Sequence, residues 1–125
     1  MLHLEMWVAL RKNRASMRRV LRKSYRIARQ ITGARGGSGP WIFLVDPDPP
    51  SPKTQRLRSL FGLKSGEDLW IEFVFYPNKS KMKKIIQRIW KHPRFMTVAS
   101  GLDRLVSRRK VGFDATLAYA VLQNL

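Results

Sequence analysis

From Leu2 to Leu10 the chain alternates strictly: Leu2, Leu4, Met6, Val8 and Leu10 on one side, His3, Glu5, Trp7 and Ala9 on the other. A period of two over nine residues predicts a β-strand with one strongly apolar face. The period then lengthens. Met17, Val20, Leu21, Ser24, Ile27, Ala28 and Ile31 recur at three and four residues, the spacing of one helix face, so an amphipathic helix is expected from about Lys12 to Thr32. Gly33 follows as its C-cap, because glycine enters the left-handed region at small cost. Trp41–Val45 is a short apolar run, read as a second strand. Leu69, Ile71, Phe73 and Phe75 alternate with Trp70, Glu72, Val74 and Tyr76 as a third, stopped by Pro77.

Asn78 suits the N-cap of a helix whose apolar positions are Met82, Ile85, Ile86, Ile89 and Trp90. Pro93 breaks that helix and fits the first turn of another, carried by Phe95, Val98, Ala99, Leu102, Leu105 and Val106 and interrupted by Gly101. Phe113, Ala115, Leu117, Tyr119 and Val121 read as the last strand. Between these elements lie a flexible Gly-rich loop, 33–40, and a Pro-rich connection, 46–68, in which Leu57, Leu60 and Phe61 hint at helical turns. Proline lacks the amide donor that a central strand requires, so 46–52 is not a strand.

The order strand, helix, strand, strand, helix pair, strand predicts one domain over 1–125: a ferredoxin-like βαββαβ sandwich of the α+β class, with helices on one face of a four-stranded antiparallel sheet. The first and third strands should be central neighbours. Their Leu/Val/Phe faces should meet the helices. The open face would then carry His3, Glu5, Trp7, Trp70, Glu72, Tyr76 and Asp114.

Charge changes the picture. The 125 residues hold 25 Lys and Arg against 8 Asp and Glu, a formal net charge of +17. Charges this dense repel one another, and solubility needs only a few. They are also patterned. No acid lies between Met6 and Val45, where Arg11, Arg14, Arg18, Arg22, Arg26 and Arg29 project opposite the apolar stripe of the first helix, with Tyr25 among them and Arg35 in the glycine loop. A second acid-free stretch, Phe73 to Leu102, carries Lys79, Lys83, Lys84, Arg88 and Lys91; Arg108, Arg109 and Lys110 form a third cluster. A helix with arginines one turn apart, ~5.4 Å, offers forked donors to a phosphate backbone, and Tyr25 offers a ring for stacking. The reading is a basic RNA-binding protein, a ribosome or ribonucleoprotein component, with RNA preferred to DNA. The open sheet face lacks the RNA-recognition-motif signature and carries acids, so contact is expected from the helices and loops.

The alternative uses the other residues. Glu5 and Glu72 on adjacent strands, with His3, Trp7, Trp70 and Tyr76, would line a pocket for a small molecule, and two close carboxylates raise each other's affinity for a proton. Dimer packing explains the same aromatics, and we weight that role above catalysis. No catalytic residue is assigned. Zero Cys, and two His far apart, leave no metal set. No P-loop, nucleophile-elbow or dinucleotide fingerprint appears, and no cofactor is expected. There is no apolar run long enough to span a bilayer and no secretory h-region after Met1. The expectation is a cytoplasmic protein without membrane contact. The basic helix itself is a poor membrane anchor, because the sheet needs its apolar face.

Tyr76-Pro77-Asn78-Lys79, then thirteen residues, then Pro93-Arg94-Phe95, with Phe113-Asp114 opening an aromatic last strand, resembles the YbaA-like family of small bacterial domains. Lys64 to Ile71 is similar to that family's run into its third strand. The likeness covers the second half of the chain. It implies the dimeric α/β-barrel version of the ferredoxin-like fold, a homodimer built by sheet-to-sheet contact, and no catalytic residues.

Overall fold

The structure, a computed structural model, describes residues 2–33, 38–45, 52–60 and 62–112. Strand β1 (Leu2–Leu10) passes through one 3₁₀ turn, Arg11–Asn13, into α1 (Arg14–Thr32). Then come β2 (Ser38–Val45), α2 (Pro52–Leu60), β3 (Glu67–Phe75), α3 (Lys79–Trp90), α4 (Pro93–Leu105) and β4 (Val106–Gly112). The sheet order is β2-β3-β1-β4, every neighbouring pair antiparallel. This is the ferredoxin-like α+β fold, with β1 and β3 at its centre.

Punctuation works as the chain order requires. Gly33 stands at φ 67° and donates its amide to Arg29 O at 2.8 Å, closing α1 in a conformation that a side chain would strain. Asn78 Oδ1 accepts the Lys81 amide at 2.9 Å and so caps α3. Pro93 opens α4, where its missing N–H costs nothing. His92 occupies the N-cap position without a side-chain cap bond.

Each face of the sheet has its own core. Leu4, Met6 and Val8 of β1, Leu69, Ile71 and Phe73 of β3 and Val45 of β2 form one cluster, with Leu2 and Leu63 against it. Trp7, Ala9 and Trp70 form the other with Met17 and Leu21 of α1 and Leu102 of α4. Farther along that face, Val74 and Tyr76 pack with Met82 of α3.

The helices therefore cover the face opposite to the expected one. α1, α3 and α4 lie on the Trp7, Trp70 and Tyr76 side; the Leu4, Met6, Ile71 side is the other. The physical reason is that both faces of β1 and β3 are apolar enough to accept helices, so hydropathy alone does not choose. An ion pair and a short junction do. Asp68, at the start of β3 and fully buried, receives two hydrogen bonds from Arg14 in the first turn of α1, and that fixes the helix over its own face.

Three boundaries also differ. The Gly-rich loop is shorter than expected, because Ser38, Gly39 and Pro40 belong to β2. The connection 46–68 holds α2, and β3 already begins at Glu67. The predicted last strand, from Phe113, lies outside the described residues, as does Asp114; Val106–Gly112, with its Arg108-Arg109-Lys110 cluster, pairs with β1 instead.

Candidate functional site

The six residues of the alternative reading share one face of the central strands, inside one chain and between sheet and helices, with Trp7 and Trp70 in one core cluster and Tyr76 in another. In the β1/β3 register Glu5 faces Glu72, Trp7 faces Trp70 and His3 faces Val74. Directly opposed side chains on one face stand ~4.5–5.5 Å apart at Cβ. His3, Glu5, Trp7, Trp70 and Tyr76 are buried and Glu72 is half-buried. Helix residues close the layer from above, so these side chains face neither an open sheet surface nor a sheet-to-sheet dimer contact. That corrects both expectations for this face.

Within the layer, Trp7 Nε1 donates to Glu5 Oε1 at 3.0 Å. The His3 and Tyr76 rings lie tilted at 38°, with centroids 6.4 Å apart. Burial, and then the charges of Glu72 and Glu5, push the Tyr76 phenol up to about 12. Tyr76 thus keeps its proton across the neutral range and is a donor there. Trp70 Nε1, in a residue only 3% exposed, has no hydrogen-bond partner among the described residues. Ser24 Oγ, on the buried stripe of α1, is likewise buried without one. Buried donors in native proteins are nearly always satisfied, so an orphan calls for an explanation. Ser24 was visible in the sequence as the one polar residue of an apolar helical stripe.

The basic row is thinner than it looks in the sequence. Arg14 Nε and Nη2 donate to Asp68 Oδ2 and Oδ1 at 2.8 and 2.9 Å, and Arg11 Nε reaches Oδ1 at 3.4 Å. These two cations hold α1 to β3. Burial by itself would raise the Asp68 carboxyl, but the hydrogen bonds and charges of Arg14, then Arg11, outweigh it and hold the group below its ordinary value. Arg29 Nη1 donates to Tyr25 Oη at 3.1 Å, so the ring intended for stacking is tied to a cation of the same row. Arg18, Arg22 and Arg26 are exposed on α1, as are Lys79, Lys83, Lys84, Arg88 and Lys91 on α3. Arg35 lies outside the described residues. Among those residues no group of three metal-ligating side chains forms, and no helix is long and apolar enough to cross a membrane.

No family model matches the sequence, and no curated protein matches it either, so the YbaA-like resemblance has no support from sequence. Solved structures do match the fold. A protein of Agrobacterium tumefaciens aligns with a TM-score of 0.59 at 10% identity, over 90% of this chain and 89% of its own. A candidate antibiotic biosynthesis monooxygenase of Nitrosomonas europaea aligns at 0.53 and 8% identity, over 90% and 94%. A second protein so named, from Deinococcus radiodurans, aligns at 0.52 and 14%, over 92% of each chain. At these identities the likeness is one of architecture, and the class it defines is the ferredoxin-like α+β domain.

Proposed function

We propose that the layer between the sheet and its helices is a binding site for a small organic molecule. One observation carries the reading: Trp70 Nε1 is a buried donor without an acceptor among the described residues, while Trp7, its cross-strand partner, has its own indole N–H satisfied by Glu5. A ligand oxygen or nitrogen in the layer would supply the missing acceptor. Next to Trp70 on the same face stand the Glu5 and Glu72 carboxylates, with the His3 imidazole and the protonated Tyr76 phenol farther along the strands, a row able to orient a polar molecule beside aromatic walls. Two solved structures of the same fold are named as candidate monooxygenases, and such names denote small-molecule chemistry. The reading is of binding, with no catalytic role assigned. The homodimer implied by the YbaA-like resemblance would have to form elsewhere than on the His3–Tyr76 face.

A thermal-shift screen of small aromatic and carbonyl compounds tests it. A ligand should raise the melting temperature of the wild type and much less that of Trp70→Phe. Failure of every compound, with the Trp70 indole proton found bonded to an ordered water, would remove the reading.

A second reading, phosphate binding along α1, rests on Arg18, Arg22 and Arg26. All three are exposed and have neither ion pair nor hydrogen bond among the described residues. It would make the protein a salt-sensitive RNA binder with a shorter contact row than the sequence suggests.

A further inference from the structure

The corner between α3 and α4 presents apolar side chains to water. Trp90, the last residue of α3, is 40% exposed, and Met96, in the first turn of α4, is 53% exposed. Half-buried Phe95 meets Trp90 edge to face, centroids 5.2 Å apart and planes at 84°. A single exposed apolar residue on a soluble domain needs no explanation. Here two large ones bracket a turn and share a ring contact.

Cations surround them. Lys91 and Arg94 flank the turn, and Lys84, Arg88 and Lys91 recur at four and three residues, so they stand along one exposed side of α3. Lys83 precedes Trp90 by seven residues and shares its side of the helix. None of these side chains is held in an ion pair or hydrogen bond among the described residues. No Asp or Glu occurs between Phe73 and Leu102.

We propose that this corner docks on an anionic lipid surface, with Trp90 and Met96 entering the headgroup boundary and Lys83, Lys84, Arg88, Lys91 and Arg94 meeting lipid phosphates. The combination is what such a boundary selects: tryptophan settles at headgroup level, apolar tips reach the acyl region, and lysine and arginine answer the surface charge. A second copy of the chain is a poor occupant, since both partners would carry +17. Nucleic acid answers the cations equally well, but it has no use for a methionine tip, and stacking wants a flat ring face rather than an edge-to-face pair. The objection that disqualifies α1 does not apply. Its apolar stripe is consumed by the sheet, whereas Trp90 and Met96 remain in water.

The test must separate docking by this corner from the general attraction of a basic protein to a negative surface. Vesicles of phosphatidylcholine, with and without phosphatidylserine, are sedimented with the full chain. Binding should require phosphatidylserine. Lipids brominated on the acyl chain should quench part of the tryptophan emission, and Trp90→Phe, a substitution that keeps a ring against Phe95, should remove that quenching. Met96→Glu, at the most exposed apolar position of the corner, should weaken binding at least tenfold without changing the melting temperature. Lys91→Glu with Arg94→Glu should weaken it further, by about fivefold or more per charge. Binding without Trp90 quenching would overturn the proposal, because the protein would then adhere by charge alone. So would corner variants that lose single-stranded RNA binding while vesicle binding persists.

Discussion

Trp7 and Trp70 stand directly opposite each other on the two central strands, and among the described residues only Trp7 has a partner for its indole N–H. Trp7 donates to Glu5 on its own strand, two residues back. Trp70 has Glu72 two residues ahead, across from Glu5, but no bond to it. The two strands thus carry matched residues in an unmatched hydrogen-bonding state. Removing the Trp7 donor deprives a buried carboxylate of a bond, whereas removing the Trp70 donor removes a group that is already unsatisfied. Both Trp→Phe changes lose some packing. Trp7→Phe should therefore cost about 1 kcal/mol more than Trp70→Phe in urea denaturation of the ligand-free protein. Equal costs would mean that the Trp70 N–H is satisfied in solution.

The Arg14–Asp68 pair predicts an acid limit. The folded-state carboxyl of Asp68 is held below its unfolded value, so its stabilisation is fully present above the unfolded value, about 4, and is lost as pH falls through the lower folded one. Asp68→Asn should flatten the stability profile below about pH 4 relative to wild type. Arg14→Ala leaves a buried carboxylate with only the longer Arg11 contact. The cost should be about 2–3 kcal/mol, below the ~3–5 kcal/mol of a fully buried pair because Arg14 is 26% exposed on its side chain. Denaturation midpoints across pH 2–7 measure both.

That pair also marks where the sequence stops being legible. β1, α1, β3, α3 and α4 follow from changes of period, and Gly33, Asn78 and Pro93 punctuate them as their chemistry requires, whereas β4, Val106–Gly112, has no such signal. That Glu5 and Glu72 lie on adjacent central strands follows from the strand order; their direct pairing is a matter of register, which the order does not fix. Which face the helices take does not follow, because Trp7, Ala9, Trp70 and Val74 make the second face of the central strands nearly as apolar as the first. The choice rests on a contact between Arg14 and Asp68, 54 residues apart, and no local pattern announces it. The same contact turns two surface-looking arginines into parts of the core boundary. Ser24 was legible and its meaning was not: a hydroxyl in an apolar stripe acquires significance only when the structure buries it without a partner.

Tyr76 predicts an alkaline effect of opposite sign. Its folded-state value, about 12, lies above the ordinary one of 10.0, so the contribution is complete below about pH 10 and lost as pH rises toward and through 12. The sequence holds three tyrosines. Tyrosinate absorbance in the folded protein should show a late step near pH 12 that Tyr76→Phe removes. Glu72→Gln should move that step down by removing one of the charges that oppose ionisation. A late step unchanged in Tyr76→Phe would place the perturbed phenol elsewhere and separate Tyr76 from the carboxylates.

The reading of α1 as a phosphate-binding row makes the last prediction. With Arg11 and Arg14 committed to Asp68 and Arg29 shared with Tyr25, the cations of the row left without a partner among the described residues are Arg18, Arg22 and Arg26. Each phosphate contact on a single strand contributes about 0.7 to the slope of log affinity against log salt. Replacing Arg18, Arg22 and Arg26 by Glu should abolish RNA binding at moderate salt, and replacing the same three by Gln should lower the slope by about 2. Replacing Arg11 by Gln should leave the slope unchanged, since that guanidinium already faces a carboxylate. Filter binding across a salt series distinguishes the cases. Affinity that survives the three Glu substitutions would free α1 from any role with nucleic acid and leave the buried layer beneath it as the functional part of the helix.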